Sequence, residues 1–178
     1  MRGRARLLTG GALAVAAAAS AAVAIAGGGG GDKAAFAERL SGYQEDPLVL
    51  STTGTGTFEA APVKGGVAWR LSYSALEGKV TQAHIHLGGR HQSGGIAVFL
   101  CSNLGNGPAG TQECPAAPAT ISGTIRAADV IGPVPQGITA GQFEELADAA
   151  LAGVTYVNVH SDTYPGGEIR AQLRPRLH

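Results

Sequence analysis

Residues 155–173 read Thr-Tyr-Val-Asn-Val-His-Ser-Asp-Thr-Tyr-Pro-Gly-Gly-Glu-Ile-Arg-Ala-Gln-Leu, and the fold is decided in this stretch. From Thr155 to His160, Val157 and Val159 alternate with Tyr156, Asn158 and His160. A period of two marks a strand with one apolar face. From Gly167 to Leu173 the same alternation sets Ile169, Ala171 and Leu173 against Glu168, Arg170 and Gln172. Between them, Asp162, Pro165 and two glycines favour a turn, so the two strands form a hairpin. If His160 opposes Glu168, the register places Asn158 opposite Arg170 and Tyr156 opposite Gln172.

Working outward, the pattern repeats. Residues 67–73 alternate around Trp69, and residues 53–60 form a Thr-rich segment carrying Phe58. Residues 80–87 place Thr81, Ala83, Ile85 and Leu87 on one face and Val80, Gln82, His84 and His86 on the other. Residues 96–100 are continuously apolar, which suits a strand buried on both faces, and residues 120–125 are a weaker strand. One helix is expected near residues 140–151. There Thr139 and Gln142 form a capping box, Phe143, Leu146, Ala147, Ala150 and Leu151 recur at helical spacing, and Gly153 ends the run. Asp129-Val130-Ile131 reads as a single helical turn. Many short strands separated by Gly and Pro turns imply an all-β fold, an antiparallel β-sandwich or barrel.

The chain has 178 residues, with 13 Lys plus Arg against 13 Asp plus Glu, and only 15% of its residues are charged. No basic surplus exists to neutralise phosphates, so nucleic acid is not an expected partner. The N-terminus has its own pattern. Arg2, Arg4 and Arg6 precede an uncharged, alanine-rich run to Gly31, and Ala24-Ile25-Ala26 has the small-x-small form of a cleavage site. Residues 1–26 therefore read as a signal peptide, with an uncleaved membrane anchor as the alternative. Residues 27–33 read as a flexible Gly-rich linker, and residues 34–174 as one β domain. Cleavage would leave 10 basic against 13 acidic residues, a mildly acidic secreted protein with no membrane attachment. Cys101 and Cys114 are the only cysteines, and an even count in an oxidising compartment reads as one disulfide. No CxxC spacing supports metal thiolates instead.

His84-Ile85-His86 is the sharpest chemical feature. In a strand both imidazoles project to one side. By parity His160 and Glu168 also sit on polar strand faces. If the strand of His84 and His86 neighbours the hairpin, three imidazoles and a carboxylate converge, a set that suits zinc or copper. Asn158 and Arg170 then flank the ligands as supporting polar groups. A hydrogen-bonded structural cluster of the same residues is the competing reading. Motifs for nucleophilic catalysis, phosphate loops and dinucleotide binding are lacking in the sequence, so no residue is assigned a catalytic role.

Three landmarks together resemble the CHRD domain, the module named after chordin: Leu40-Ser41-Gly42-Tyr43-Gln44-Glu45-Asp46-Pro47, then Ala83-His84-Ile85-His86, then Tyr156-Val157-Asn158-Val159-His160 leading into Gly167-Glu168-Ile169-Arg170. The likeness covers nearly all of residues 34–174. It departs from the family at Ala171, where glycine is more usual, and at Ser161, where threonine is. The resemblance implies a β-rich extracellular domain with no settled activity. The expected function is that of a secreted, non-enzymatic binding or structural module, its partner an extracellular protein or small ligand not identified by the sequence. The alternative is a copper- or zinc-dependent redox enzyme on the same histidines. Its support is a geometric similarity to copper/zinc superoxide dismutase, but the further histidines of such an enzyme are lacking here.

Overall fold

A computed structural model describes residues 35–176; the expected signal peptide lies outside them. Eight antiparallel strands are present: β1 (Phe36–Ser41), β2 (Thr55–Val63), β3 (Gly66–Ser74), β4 (Val80–Leu87), β5 (Gly95–Ser102), β6 (Ala119–Ile125), β7 (Thr155–Ser161) and β8 (Ile169–Gln172). They form one sheet in the order β5-β4-β7-β8-β1-β2-β3-β6. The sheet curls into a nearly closed barrel rather than splitting into two packed layers. Its two edges, β5 and β6, are bridged by one side chain: Gln112 Nε2 donates to Leu100 O at 3.1 Å and to Ser122 O at 3.3 Å.

The interior follows the period of two. Phe58 of β2, Leu71 and Tyr73 of β3, Ile85 of β4, Leu100 of β5, Val157 and Val159 of β7, and Ile169 and Ala171 of β8 are all buried in one apolar cluster. Each large aliphatic side chain buried this way contributes about 1.5–3 kcal/mol. β1 escaped the periodicity because Glu38 interrupts the apolar face between Phe36 and Leu40. The side chain of Glu38 instead accepts the Arg174 amide at 3.2 Å. Val80 breaks the expected parity of β4: the ladder to β7 shifts register between Val80 and Gln82, and Val80 joins the core.

The helix, α1, spans Phe143–Leu151 with Gln142 at its N-cap. It therefore starts a turn later than Thr139 suggests. Half of the anticipated box survives, since the Thr139 amide donates to Gln142 Oε1 at 2.6 Å. Gly153, with φ of 73°, closes the C-terminus in the left-handed region. The single turn expected at residues 129–131 is a 3-10 turn at Ala127–Asp129.

Cys101 and Cys114 form the disulfide. Asn103 reinforces the loop they enclose: its Nδ2 donates to Val80 O and Cys114 O, and its Oδ1 accepts the Cys114 amide. Replacing both cysteines by alanine is expected to cost about 3 kcal/mol, the value for a loop of this length. Urea denaturation of the variant beside the parent measures it; an unchanged midpoint would show that Asn103 holds the loop unaided.

Candidate metal centre

β7 and β8 are buried on both faces along their whole length. Val157, Val159, Ile169 and Ala171 point into the barrel. Tyr156, Asn158, His160, Arg170 and Gln172 point out of it, yet all five are buried. The register is the one the hairpin implied, with Tyr156 opposite Gln172 and Asn158 opposite Arg170. On the other side β4 pairs with β7, placing His84 opposite Asn158 and His86 opposite Tyr156. A polar sheet face thus runs across three strands. Loops from residues 42–50, 88–94 and 165–167 cover it.

Three histidines meet on this face. One nitrogen from each of His84, His86 and His160 lies within 4.8 Å of the others, and all three residues are buried. His86 Nδ1 donates to Gly94 O at 2.9 Å, and His160 Nδ1 donates to Pro165 O at 3.0 Å. A carbonyl only accepts, so these bonds fix both tautomers and turn both Nε2 lone pairs toward the cluster. His84 Nδ1 stands 3.1 Å from His160 Nε2. His84 Nε2 and His86 Nε2 are buried without partners. Phe99 of β5 closes over His84, ring centroids 4.4 Å apart. Tyr156 stacks on His86 at 4.7 Å with the rings nearly parallel.

Burial holds the imidazoles in the neutral form that ligates metals. It pulls His84 down to about 2 and His86 down to about 4, and it lowers His160 as well. Like charge between the rings adds to the depression at His84, whereas the Gly94 carbonyl partly offsets it at His86.

The donor set fits a transition metal. Two imidazole nitrogens bound tetrahedrally at 2.0–2.1 Å lie roughly 3.3 Å apart, close to the observed 3.1 Å between His84 and His160. The widest pair needs to close by at most about 1.5 Å. Ring N–H groups held by backbone carbonyls are the usual outer support of histidine ligands.

Glu168, expected as a fourth ligand, stands outside this group. Its amide donates to Val159 O at 2.8 Å, one residue past the last ladder pair, Val159 with Ile169. The chain leaves the ladder there, and its Oε1 turns to Thr52 Oγ1 at 2.8 Å and the Glu77 amide at 2.7 Å. Asn158 lies between the histidines and Arg170, its Oδ1 buried and unpartnered. Arg170 sits on the far side of Tyr156, its guanidinium carbon 3.5 Å from the ring centroid. His86, Tyr156 and Arg170 are therefore layered across the three strands.

Sequence reasoning missed Glu45, Tyr156 and Phe99. Tyr156 shared the parity of Asn158 and His160, which was the available signal; Glu45 lies in a loop where parity says nothing. Glu45 is buried between Asn158, Arg170 and Gly167. Gly167 has φ of 133° and a Cβ there would fall 2.6 Å from Glu45 Oε2, so only glycine leaves room for the carboxyl. Burial pushes Glu45 up to about 8, partly offset by the charge of Arg170 and by contact with Asn158.

A group raised in the folded state binds its proton more tightly there than in the unfolded chain. Glu45 therefore contributes stability that is full below its ordinary value of 4.5 and is lost as pH rises toward about 8. The three histidines, lowered in the folded state, add stability over the same range in both proteins. Between pH 5 and pH 8 the unfolding free energy of metal-free Glu45→Gln should therefore rise more, or fall less, than that of the parent. Denaturant titrations at both pH values check this; equal slopes in variant and parent would refute it.

Among the described residues no helix is long and apolar enough to cross a membrane. A family model for the CHRD domain matches residues 36–173. No curated protein and no solved structure matches the chain.

Proposed function

The chain belongs to the CHRD domain family, and from that premise we propose that it is an exported binding module in which His84, His86 and His160 hold one zinc or copper ion. The observation that carries the reading is the meeting of three buried imidazole nitrogens: His86 Nε2, which has no partner, beside His84 Nδ1 and His160 Nε2, which stand 3.1 Å apart, with the tautomers of His86 and His160 already set. A buried acceptor left without a donor costs about 1–3 kcal/mol, and coordination would remove that cost at His86 Nε2. When bound, the ion would tie β4 to β7 and supply a Lewis-acidic centre. The protein's part is to keep the rings neutral, aim their lone pairs and exclude water through Phe99 and the covering loops. Export agrees with the disulfide and with the reading of residues 1–26 as a signal peptide.

Turnover at this ion is the less supported reading. His84 has no exposed surface, and a substrate would have to displace the covering loops to reach its ring. A holding role needs no such movement.

Metal content decides the matter. Protein purified without nickel affinity and offered zinc or copper should carry close to one equivalent by elemental mass spectrometry. The His84→Ala/His86→Ala variant should carry none. Free metal at a hundredfold excess over its Kd should also stabilise the parent by about 2.7 kcal/mol, lost in the variant. Folded parent protein that takes up neither metal would overturn the proposal.

A further inference from the structure

We propose that the cavity beyond the histidines is a second site, which takes a small oxyanion, a carboxylate or a phosphate, on the guanidinium of Arg170. The cavity has a volume of about 150 Å³ and is lined by Tyr43, Gln44, Arg90, His91, Arg170 and Gln172. Its walls are the loops at residues 42–50 and 88–94, pinned together where Ser93 Oγ donates to Asp46 Oδ2 at 2.7 Å. β8 provides its floor.

Arg170 brings a charge into the interior. Arg170 is 2% exposed, and a buried cation is costly unless it is paired. The groups that hold it are neutral. Nη2 donates to Gly89 O and to Gln92 O, both at 3.0 Å, and the guanidinium lies over the Tyr156 ring. Guanidinium offers five N–H donors in a planar fork. The two carbonyls occupy one of its three nitrogens, which leaves Nε and Nη1 for another partner. Of the two nearby carboxyls, Asp46 is engaged by Ser93 Oγ, and Glu45 Oε1 is buried without a hydrogen-bond partner, its carboxyl pushed by burial toward the uncharged form.

The lining of the cavity is basic. It contains two arginines, a histidine and no carboxylate, and Arg90 and His91 are exposed at the mouth. A concave surface of one sign concentrates ions of the other. Pockets for drug-sized ligands run to roughly 300–1,000 Å³, so this cavity suits a single acidic group. Carboxylate and phosphate share the geometry that a guanidinium fork recognises. The site names a ligand class for the binding module, and it requires no metal at the histidines.

The test is isothermal titration calorimetry of the full chain, stripped of metal, with sodium acetate and sodium phosphate at constant ionic strength in a chloride background. Saturable one-to-one binding of either salt is expected, and the tighter of the two identifies the acid. Arg90→Ala, a change at the exposed mouth, should weaken binding by about two- to fivefold. Arg170→Lys removes the fork and should weaken it by about tenfold or more. Because Arg170 also packs against Tyr156, Arg90→Ala carries the test if the lysine variant does not fold. No saturable binding above chloride, or affinity unchanged in Arg90→Ala, would overturn the site. Binding that appears only after zinc is restored would place the anion on the metal, overturning this site while leaving the histidine reading intact. Failure of metal uptake would leave the acetate and phosphate result unaffected.

Discussion

A polar sheet face that is kept from water must find its hydrogen-bond partners inside the protein, and the outer face of β4, β7 and β8 is under that constraint. Loops provide the partners. The two N–H groups of Gln172 Nε2 serve three carbonyls, those of Gly88, Gly153 and Thr155, with one hydrogen shared. Arg170 draws in Gly89 and Gln92, His86 draws in Gly94, and His160 draws in Pro165. Side chains on the strands therefore dictate where three loops lie, in contrast to the common case in which loops decorate a finished sheet. The barrel core could form without these bonds, but the covering loops could not adopt these positions.

The same face holds most of the unfinished bonding. His84 Nε2, His86 Nε2, Asn158 Oδ1, Glu45 Oε1 and Gln172 Oε1 are all buried and unpartnered, and all sit on or against the covered face. Stability alone does not select such a concentration, because each unmet group detracts from it. Ligand sites do select it, since their groups are completed by something other than the chain.

Much of this was legible in residue order. Parity placed His160 beside the apolar residues Val157 and Val159 but on the opposite face, and it aligned Asn158 with Arg170. It also put His84 and His86 on one side of β4. Parity has no reach beyond the strand. It could not show that the polar face is covered, because the cover comes from segments such as Gly88–Gly94 whose positions depend on long-range contacts. Nor could it follow Glu168, which lies one residue past the ladder and is drawn off by Thr52 and Glu77. The sandwich-or-barrel ambiguity had the same origin: alternation describes a sheet's faces but not its curvature. The helix started late because a capping box fixes only local bonds. Here Gln142 reaches back to Thr139 while itself serving as the N-cap.

The bridge made by Gln112 bears on how the protein behaves in a crowd. A nearly closed barrel still has two strand edges, and unpaired strand edges are templates for adding strands from other chains. The backbone oxygens of Leu100 and Ser122, one on each edge, are both occupied by the Gln112 amide. The Gln112 carbonyl in turn accepts the Ser102 amide at 2.9 Å. Gln112 is held there by the loop that Cys101 and Cys114 close. The disulfide therefore guards against edge-to-edge association as well as unfolding, and its reduction would expose this protein to self-aggregation before the barrel itself came apart.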